Sequence, residues 1–353
     1  MARVGIQLLT WNGKKYIEPL VRSLKEQTFE DYDVIVLDNG SDDGTGDKVQ
    51  AALRDHGLHY LFSQNPSNSG FAMGHNQLFR MHDAEYVFIV NQDLYLEPTC
   101  VGRLVEYLDT HHEVAVVAPR LMAWHFNAWE TRGEFVADNI DSLGLRVLRN
   151  RRVIDWHQGE LWTVVQQTLP QEDISVFGVS GACALFRRSV LEQIAYPGRE
   201  LFDPSYHSYK EDVDLAYRIQ SAGYAAATLV SAVAYHDRTT AGQEDSSDRA
   251  TMMRKQTQAW TVRYHSYVNH LMTLAKNEYW QNMILDLPWI LWYEGKKCVY
   301  MLLFDRSILK GLAMVWKRRN DWQKKRQHIM RLRKKNWKAL RHWWTMYDVH
   351  ISR

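Results

Sequence analysis

Three acidic side chains crowd the start of one predicted helix, at Glu211, Asp212 and Asp214. Carboxylates in a first helical turn commonly complement the helix dipole, and Asp214 also has Arg218 four residues later on the same face. That structural interpretation accounts for Asp214. Asp212 lies off that face and is therefore free to act as a general base, which would accept the proton of an attacking hydroxyl group.

Another carboxylate, Asp93, comes shortly after the apolar run at 86–91, in the sequence Asn91-Gln92-Asp93. A carboxylate at the end of a buried strand is costly unless it is paired or bound to a metal ion. Oxygen ligands suit Mg²⁺ or Mn²⁺, and both cations also bind diphosphates. His236 ends a predicted strand, where a histidine is as readily a structural hydrogen-bonding residue as a metal ligand.

Polar residues also follow the first two predicted strands, at the edge where an open α/β sheet binds its ligands. Thr10 ends the first strand and is followed by Asn12, and Asp38 ends the second and is followed by Asn39. Turn and helix-capping chemistry is the readier explanation for residues 41–45. Asp38 differs, because a carboxylate at the end of an apolar strand is placed to accept a hydrogen bond from a nucleobase N–H.

A third polar segment, residues 65–76, contains Asn68, Gly70 and Asn76 among small residues that open a helix. Small residues permit the backbone to approach a nucleotide closely, and a helix N-terminus favours the negative charge of a phosphate. No GxGxxG sequence follows the first strand, which argues against a dinucleotide-dependent oxidoreductase.

The elements that must position these residues alternate between strands and helices. Strands are predicted at 3–9, 33–38, 58–62, 86–91, 114–119, 175–188 and 225–236, and helices at 14–27, 43–56, 71–83, 99–111, from 189 and at about 210–222. This alternation predicts βαβ units and a largely parallel sheet. The less regular residues 120–175 are interpreted as an insertion that carries substrate loops.

Taken in order, these motifs resemble one family. The sequences TWNG, VLDNGSDDGT, NxxNSGFAxGHN, VNQD, SGACALFRR, EDVDLAYR and AYH are similar to those of inverting family 2 glycosyltransferases of the GT-A fold. Within that family they resemble the rhamnosyltransferase-like branch that builds bacterial cell-surface glycans. The resemblance covers residues 3–240, and residues 140–160 also look like the characteristic insertion of that branch.

The resemblance implies an α/β fold with a Rossmann-like, mostly parallel sheet and flanking helices. Residues 1–245 would form the catalytic GT-A domain. Its first half, 1–119, would bind the nucleotide-sugar, and its second half, 120–245, would bind the acceptor and carry the catalytic residue.

The resemblance also implies a role for each candidate position. Asp212 matches the catalytic base, and Asp93 matches the last Asp of the metal-binding DxD motif, with His236 completing the metal site in some relatives. Asn91 replaces the first Asp of that motif, which weakens the metal site. The donor nucleotide would contact Thr10, Asn12, Asp38, Asn39, Asn68, Gly70, Asn76, Asn91 and Gln92. The acceptor region would include Gly181, Glu211 and Trp156.

The predicted activity is transfer of a sugar from a nucleoside diphosphate, with Mg²⁺ or Mn²⁺, onto a lipid-linked or polysaccharide acceptor. The preferred donor is dTDP-rhamnose, from which L-rhamnose would be transferred. A single displacement would invert the configuration at the anomeric carbon. Two alternatives stay open at this point. The chain could use a UDP-hexose on the same fold, or it could be a non-catalytic scaffold that binds nucleotide-sugars at a membrane. The presence of both Asp93 and Asp212 argues against the scaffold.

Basic residues are concentrated near the C-terminus of the 353-residue chain. The whole chain has 43 Lys and Arg and 41 Asp and Glu, a net charge of +2, whereas residues 317–344 hold 12 Lys and Arg and one acid. Residues 1–316 are therefore acidic on balance, and the basic stretch is expected to face something anionic. Five tryptophans lie in or beside that stretch, namely Trp316, Trp322, Trp337, Trp343 and Trp344.

Residues 246–353 are predicted to form a helical, basic, Trp-rich extension, with helices at about 247–276, 278–304 and 307–345. Basic helices with interleaved aromatic residues can bind nucleic acid or lie in an anionic membrane interface. The neighbouring segment 283–316 is rich in Trp, Leu and Met, which favours the membrane, but charged residues interrupt it and argue against a spanning helix.

The expected partner of this extension is therefore an anionic membrane surface, contacted through 283–345, and no nucleic acid. We expect a peripheral protein on the cytoplasmic face of the bacterial cell membrane, and association into homo-oligomers is left open.

The composition, with 46% hydrophobic and 24% charged residues, is that of a globular protein and excludes a disordered or collagen-like chain. Cys100, Cys183 and Cys298 are widely spaced and form no CxxC pair, which argues against a disulfide scaffold or a cysteine zinc site and agrees with a reducing compartment. The N-terminal apolar run is too short for a signal peptide and leads directly into a strand.

Overall fold

The computed structural model describes residues 2–132, 138–169, 172–238 and 260–345. The strands within these ranges are β1 Val4–Thr10, β2 Tyr32–Asp38, β3 Tyr60–Gln64, β4 Tyr86–Asn91, β5 Leu94–Leu96, β6 Val114–Ala123, β7 Ile140–Ser142, β8 Leu145–Val147, β9 Val153–Asp155, β10 Asp173–Val176, β11 Cys183–Arg187 and β12 Ala225–His236. Ten of them form one sheet, and β8 and β9 pair separately.

The order of the main sheet is β10-β12-β6-β11-β4-β1-β2-β3, with β5 beside β12 and β7 beside β6. Strands β4, β1, β2 and β3 run parallel, so their carboxyl ends meet at one edge. β11 is antiparallel to both β4 and β6, and Cys183 at its start lies opposite Val90. The sheet is therefore mixed, and the start of β11 lies at the same edge as the end of β4.

The helices in the described part of the chain are α1 Lys14–Lys25, α2 Thr45–Asp55, α3 Phe71–Met81, α4 Cys100–Thr110, α5 Phe126–Arg132, α6 Trp162–Val165, α7 Arg188–Ile194, α8 Glu211–Ser221, α9 Trp260–Asn277, α10 Trp280–Leu285, α11 Leu287–Phe304, α12 Lys310–Lys317, α13 Arg319–Leu332 and α14 Trp337–Thr345, with a 3₁₀ turn at Arg306–Leu309. Along β4, Phe88 packs with α1, α2 and α4 on one face, while Val87 and Ile89 pack with α3, α7, α8 and α9 on the other.

The single strand predicted over 175–188 is wrong, because β10 and β11 lie in different places in the sheet. β10 pairs with β12, whereas β11 inserts between β6 and β4. The connection passes through Gly178, where an added Cβ would lie 2.3 Å from the Cβ of Ala216 in α8. The backbone therefore approaches α8 too closely for a side chain, and the continuous apolar sequence conceals this change of direction.

The boundary predicted at residue 245 lies outside the described residues, and α9 on its far side packs into the main core. Val268 and Met272 of α9 are buried in the same cluster as Leu215 of α8 and Val87 of β4. The described part of the C-terminal region is thus joined to the rest of the fold, including the predicted catalytic half, by a shared core.

The continuous helix predicted over 307–345 is also wrong, since α12, α13 and α14 share this range. Before α14, the backbone N–H of Lys334 donates to the carbonyl of Ser221 at the end of α8, at 2.8 Å. Asn336 then caps α14, because its Oδ1 accepts hydrogen bonds from the N–H of Lys338 and of the next residue. At this bend, the chain provides hydrogen-bond partners for a backbone carbonyl at the end of α8 and for backbone N–H groups at the start of α14.

Part of the basic, Trp-rich stretch is turned inward. Trp344 is buried and its Nε1 donates to Asp286, which also binds Arg341 at 2.6 Å. Lys325 binds the buried Asp203 at 2.6 Å. These side chains therefore do not face an external anionic partner, and the prediction that the whole stretch does so is corrected. Within the described ranges, every helix is too short or too polar to cross a bilayer.

Candidate active site

A hydrogen-bond network around Asp38 joins the ends of β1 and β2. Asp38 and Thr10 are both buried, and the hydroxyl groups of Thr10 and Ser41 donate to Asp38 Oδ1 at 2.9 and 2.6 Å. Gln64 Nε2 and the Ser41 backbone N–H donate to Oδ2. Asp38 therefore anchors the loop after β2, and a nucleobase N–H would have to share an acceptor that protein donors already use.

The side chain of Asn39 ties the loop after β2 to the loop before α3. Its Nδ2 donates to Asn68 Oδ1 at 3.1 Å and to the carbonyl of Gly70 at 3.3 Å, and its Oδ1 accepts from the N–H of Ser69. Gly70 has a φ of +87°, and a Cβ there would lie 2.4 Å from the carbonyl oxygen of His207. Close packing between loops therefore explains this glycine without a nucleotide.

Asn76 faces the protein interior rather than a donor. It is fully buried in α3, where its Nδ2 donates to the carbonyl of Phe202 at 2.9 Å and its Oδ1 accepts from the Phe202 N–H at 2.8 Å. Its Nδ2 also contacts Glu200. A nucleotide cannot reach Asn76 there, so its predicted donor contact is corrected to a structural role.

Asn12 and Gln92 shape the loop that follows β1. The Gln92 side chain accepts from the N–H of Trp11 and donates to its carbonyl, both at 3.0 Å. The N–H of Asn12 donates to Ser41 Oγ, and Asn12 Oδ1 accepts from the N–H of Asp42, again at 3.0 Å. These contacts join three loops at the carboxyl edge and leave the Trp11 side chain 50% exposed at its rim.

A chain of alternating charges runs from the end of β4 into the insertion. His236 Nε2 lies 3.4 Å from Asp93 Oδ1, and its Nδ1 lies 2.9 Å from Asp141 Oδ2. Arg238 continues the chain, with its Nε 2.9 Å from Asp141 Oδ1 and its Nη1 2.8 Å from Asp155 Oδ2. The structure therefore brings together Asp93 and His236, the two residues for which metal binding is predicted.

The surroundings of His236 favour positive charge at this point. Burial alone would lower its pKa, but the carboxylates of Asp93 and Asp141 outweigh that effect and raise the pKa of His236 to about 10. The cationic form of the imidazole is therefore favoured at neutral pH. A metal ion that bound here would take the place of that proton.

Asp93 and His236 suit a divalent cation as a pair. Neighbouring ligands around an octahedral Mg²⁺ or Mn²⁺ lie about 3 Å apart, close to the 3.4 Å that separates Asp93 Oδ1 from His236 Nε2. No group of three or more His, Cys, Asp or Glu residues in the described ranges is arranged to hold a metal. The remaining ligands would therefore have to come from phosphate oxygens and water, as is usual for Mg²⁺.

Asp212 lies at the start of α8, next to the segment that leads into β11. It is partly exposed; its Oδ1 accepts from the Val213 N–H at 2.7 Å, and its Oδ2 accepts from the Gly181 N–H at 3.4 Å. The next residue, Ala182, accepts a hydrogen bond from the N–H of Asn91 at 2.9 Å. Asp212 is thereby linked to the end of β4, two residues before Asp93.

The two adjacent carboxyl groups at the start of α8 titrate differently. Burial raises the pKa of Asp212 above its usual range. Burial, together with the charge of Asp212, raises the pKa of Glu211 to about 8. Glu211 therefore favours its protonated form at neutral pH, and the partly exposed Asp212 is the candidate for accepting a proton.

Trp156 is partly exposed in the insertion, where its ring lies 4.7 Å from that of His157 and its backbone N–H donates to the carbonyl of Gly144. Its part in acceptor binding stays a prediction. Sequence reasoning misses Asp141, which binds His236 directly, and Asp155, which is joined to Asp141 through Arg238. The signal for them is the similarity of residues 140–160 to the family insertion, since both aspartates lie there.

Comparison with known sequences identifies the family and several relatives of this chain. The family described as Glycosyl transferase family 2 matches residues 6–195, more than half of the chain. The N-acetylglucosaminyl-diphospho-decaprenol L-rhamnosyltransferase of Mycobacterium tuberculosis is 25% identical over 271 residues, which cover 73% of this chain and 83% of that protein. The poly(ribitol-phosphate) beta-N-acetylglucosaminyltransferase TarS of Staphylococcus aureus is 29% identical over 115 residues, 32% of this chain and 20% of TarS.

Solved structures show the same fold. GalNAc-T7 with UDP, GalNAc and Mn²⁺ superposes with a TM-score of 0.57 at 11% identity, over 78% of this chain and 49% of that chain. The mannosyltransferase PcManGT of Pyrobaculum calidifontis with GDP-Man and Mn²⁺ superposes with a TM-score of 0.52 at 17% identity, over 98% and 88%. The mixed sheet with its flanking helices is a GT-A-like fold, and the chain belongs to glycosyl transferase family 2.

Proposed function

We propose that this protein is an inverting transferase that moves a sugar from a nucleoside diphosphate onto a hydroxyl group during synthesis of a bacterial cell-surface glycan. The observation that carries the proposal is the pair at the start of α8. Asp212 is partly exposed, whereas the neighbouring Glu211 is buried and its pKa is raised to about 8, so that Glu211 favours the protonated form at neutral pH. A carboxylate of this kind suits a general base, and Gly181 and Ala182 link it to Asn91, two residues before Asp93.

The chemistry follows from one displacement. The acceptor oxygen attacks C1 of the donor sugar from the face opposite the diphosphate, and its proton passes to Asp212. The new bond joins C1 to the acceptor oxygen, while the bond from C1 to the diphosphate oxygen breaks and its electron pair leaves with the nucleotide. The configuration at C1 is inverted, and a general base of this kind contributes about 10²–10⁴-fold to the rate.

Negative charge on the leaving diphosphate must be stabilised for this step. A divalent cation bound by Asp93 and His236 would neutralise that charge when present. The His236 side chain is held in place by the chain itself, because Asp141 binds the other side of its ring and Arg238 in turn binds Asp141.

We propose that the donor is dTDP-rhamnose, from which L-rhamnose is transferred, and that the acceptor is a lipid-linked or polysaccharide glycan. The support is the similarity to the mycobacterial L-rhamnosyltransferase, together with the motifs of the rhamnosyltransferase-like branch. That relative acts on a diphospho-decaprenol-linked sugar, as its name states.

The test is a transfer assay with purified protein, in which dTDP-rhamnose is compared with a panel of UDP-hexoses and the anomeric configuration of the product is read by NMR. We expect turnover with dTDP-rhamnose and an inverted product. Asp212→Asn should lower kcat by about 10²–10⁴-fold while binding of dTDP stays within about twofold, because a proton acceptor is lost with little change in volume. Turnover with a UDP-hexose but not with dTDP-rhamnose would overturn the proposed donor. A retained anomeric configuration in the product would overturn the proposed mechanism.

A peripheral location on the cytoplasmic face of the cell membrane is proposed as well. The support is the C-terminal apolar surface, defined as the exposed side chains Trp280 and Ile284 of α10, Trp292, Leu303 and Phe304 of α11, and Trp316 of α12. Each of them is 60–72% exposed. Exposed Trp and Leu side chains beside Lys and Arg are typical of helices that lie in a lipid interface.

Basic residues near that surface add a second attraction. Lys317 and Arg319 are exposed immediately after Trp316, and Lys324, Arg331, Lys334, Lys335 and Lys338 are exposed further along. An anionic bilayer attracts each such residue by about 1 kcal/mol at its surface. We therefore propose an anionic lipid surface, rather than a nucleic acid, as the partner of this region.

A further inference from the structure

One face of α9 is polar and yet buried. Asn269, Thr273, Lys276 and Asn277 recur at the spacing of a single helix face, and none is more than 1% exposed. A helix that docks on a core usually buries an apolar face, and Lys and Asn are rarely buried without specific partners. This face therefore needs partners, and all four side chains find them between residues 203 and 214.

The middle of that segment is held by Asn269. Its Nδ2 donates to the carbonyl of Ser208 at 3.0 Å and to the carbonyl of Tyr209 at 2.8 Å. One turn further along α9, the Thr273 hydroxyl lies 2.8 Å from the hydroxyl of Tyr206. The contacts of Asn269 fix the backbone three and four residues before Asp212.

The two ends of the segment are held by Lys276. Its Nζ lies 2.5 Å from Asp203 Oδ2 and 2.9 Å from Asp214 Oδ1, and Asn277 Nδ2 donates to the same Asp214 oxygen at 2.7 Å. Asp203 stands before the segment and Asp214 lies in the first turn of α8. One helix thus connects to both sides of Asp212.

The backbone in between is strained. Tyr209 and Lys210 have φ values of +73° and +71°, a region that side chains other than glycine rarely adopt. Two such residues in succession persist only where surrounding contacts impose them. The hydrogen bonds from Asn269 to this stretch are contacts of that kind, and α8 begins with Glu211 immediately afterwards.

We propose that α9 is a positioning element of the active site, whose buried polar face holds residues 203–214 so that Asp212 meets the acceptor hydroxyl. This inference rests on the proposed function, because it takes Asp212 as the base. Apolar side chains would fill the same space, but only directional hydrogen bonds fix a strained backbone in one place. Asn269, Thr273 and Lys276 act through that backbone and do not touch the substrate.

The test compares two buried asparagines of the C-terminal helices. Asn269→Leu removes the donor that holds Ser208 and Tyr209. Asn282→Leu is the matched control, because Asn282 is equally buried and its Nδ2 donates to the carbonyl of Trp337 at 2.9 Å, within the C-terminal helices. Both variants lose a buried amide donor, and only the first loses it next to the base.

We expect Asn269→Leu to lower kcat for sugar transfer by about 10- to 100-fold, because small displacements of a catalytic group have effects of that size. Its KM for the donor should stay within about twofold, and Asn282→Leu should keep its kcat within about twofold. Circular dichroism of both variants checks the fold. If Asn269→Leu does not fold, Thr273→Val is measured in the same way. This variant loses only the contact with Tyr206, and it should lower kcat without changing the KM for the donor.

The pH profile separates positioning from a general loss of stability. Asp212 faces Lys210 and Glu211 from its own segment, Asp155 from β9 and Arg238 after β12. Asn269→Leu changes none of these charges. Loosening the segment admits water to the Asp212 carboxylate, which offsets the burial that raises its pKa. The acid limb of kcat should therefore move to lower pH in Asn269→Leu and stay in place in Asn282→Leu.

Two results would overturn this inference and leave the proposed function intact. One is a folded Asn269→Leu variant with the kcat and acid limb of the wild type, and the other is an equal loss of kcat in Asn282→Leu. Asp212→Asn is run in parallel, since an active Asp212→Asn variant or a wild type without transfer overturns the proposed function and the inference together.

Discussion

The carboxyl groups of Glu211 and Asp212 are neighbours in sequence but differ in burial. Burial and the charge of Asp212 raise the pKa of Glu211 to about 8, whereas Asp212 is partly exposed and accepts two backbone hydrogen bonds. Glu211 therefore favours its protonated form at neutral pH, and Asp212 is the more accessible of the two groups. The same division of roles between two carboxyl groups is common in enzymes that use one acid and one base.

This division predicts the pH dependence of transfer. As pH rises, kcat should increase while Asp212 loses its proton, with a midpoint above the usual range of Asp because burial raises its pKa. A second change should follow near pH 8, where Glu211 ionises. Glu211→Gln should remove the second change and leave the first, since Gln resembles the protonated acid. A kcat–pH profile of both proteins checks this, and an alkaline limb that survives in Glu211→Gln would contradict it.

The metal candidates allow a measurement that does not depend on turnover. In the wild type, Mn²⁺ should tighten binding of dTDP and EDTA should reverse the effect. Asp93→Ala should make binding of dTDP insensitive to both, because one of the two candidate protein ligands is lost. Asp47→Ala, which removes an exposed carboxylate from α2, is the control for the change of charge. Isothermal titration calorimetry provides the affinities, and a wild type that does not respond to Mn²⁺ would count against the metal.

At the scale of elements, α9 and α13 place two lysines against one carboxylate. Asp203 is fully buried and binds Lys276 at 2.5 Å and Lys325 at 2.6 Å. Lys276 also binds Asp214, which is paired with Arg218 at 3.2 Å within α8. The sequence prediction for Asp214 as the partner of Arg218 is thus confirmed, and the structure adds a second cation from a distant helix.

Loss of the shared cation should be costly. Lys276→Met should reduce the free energy of unfolding by about 3–5 kcal/mol, because breaking a buried ion pair leaves an under-compensated charge in the interior. Lys338→Met changes an exposed lysine and should stay within about 0.5 kcal/mol of the wild type. Urea denaturation followed by circular dichroism measures both. Equal stability of the two variants would mean that Asp203 and Asp214 tolerate the loss of Lys276.

At the scale of the molecule, the C-terminal region has one side that packs against the rest of the protein and one side that is exposed. On the packed side, the buried Asp286 binds Arg149 and Arg151 of the insertion as well as Arg341 of α14. These contacts fasten the helices to the catalytic half. The C-terminal apolar surface faces outward instead, and the exposed lysines and arginines that follow it add positive charge.

This arrangement predicts how the whole protein binds lipid. The wild type should co-sediment with anionic vesicles, and salt should weaken the binding without abolishing it, because apolar contacts are not screened. Replacing Trp292 and Leu303 together by Gln should weaken binding at least about tenfold, since burial of each side chain contributes about 1.5–3 kcal/mol. Leu161→Gln, at an exposed position outside this surface, should have no effect. Complete release by salt would indicate a purely electrostatic contact.

Much of the fold follows from local sequence. The strands at the start of the chain, the helices between them and the polar residues at the strand ends are predictable, because apolar periodicity and turn residues act over a few positions. Helix spacing alone assigns Asp214 to the face that also carries Arg218, and places Asp212 off that face. The motifs that resemble the family lie within such local units, which explains why membership could be recognised from the sequence.

Tertiary structure decided what depends on residues far apart in the chain. The split of the predicted strand at 175–188 follows from the close approach of Gly178 to α8, and the inward position of Trp344 follows from Asp286. The protonation of Glu211 depends on burial, which only the assembled core provides. The contacts of α9 with the segment before Asp212 join positions about 60 residues apart. Pairing at that distance leaves no periodic trace in a sequence, because its partners become neighbours only when the chain has folded.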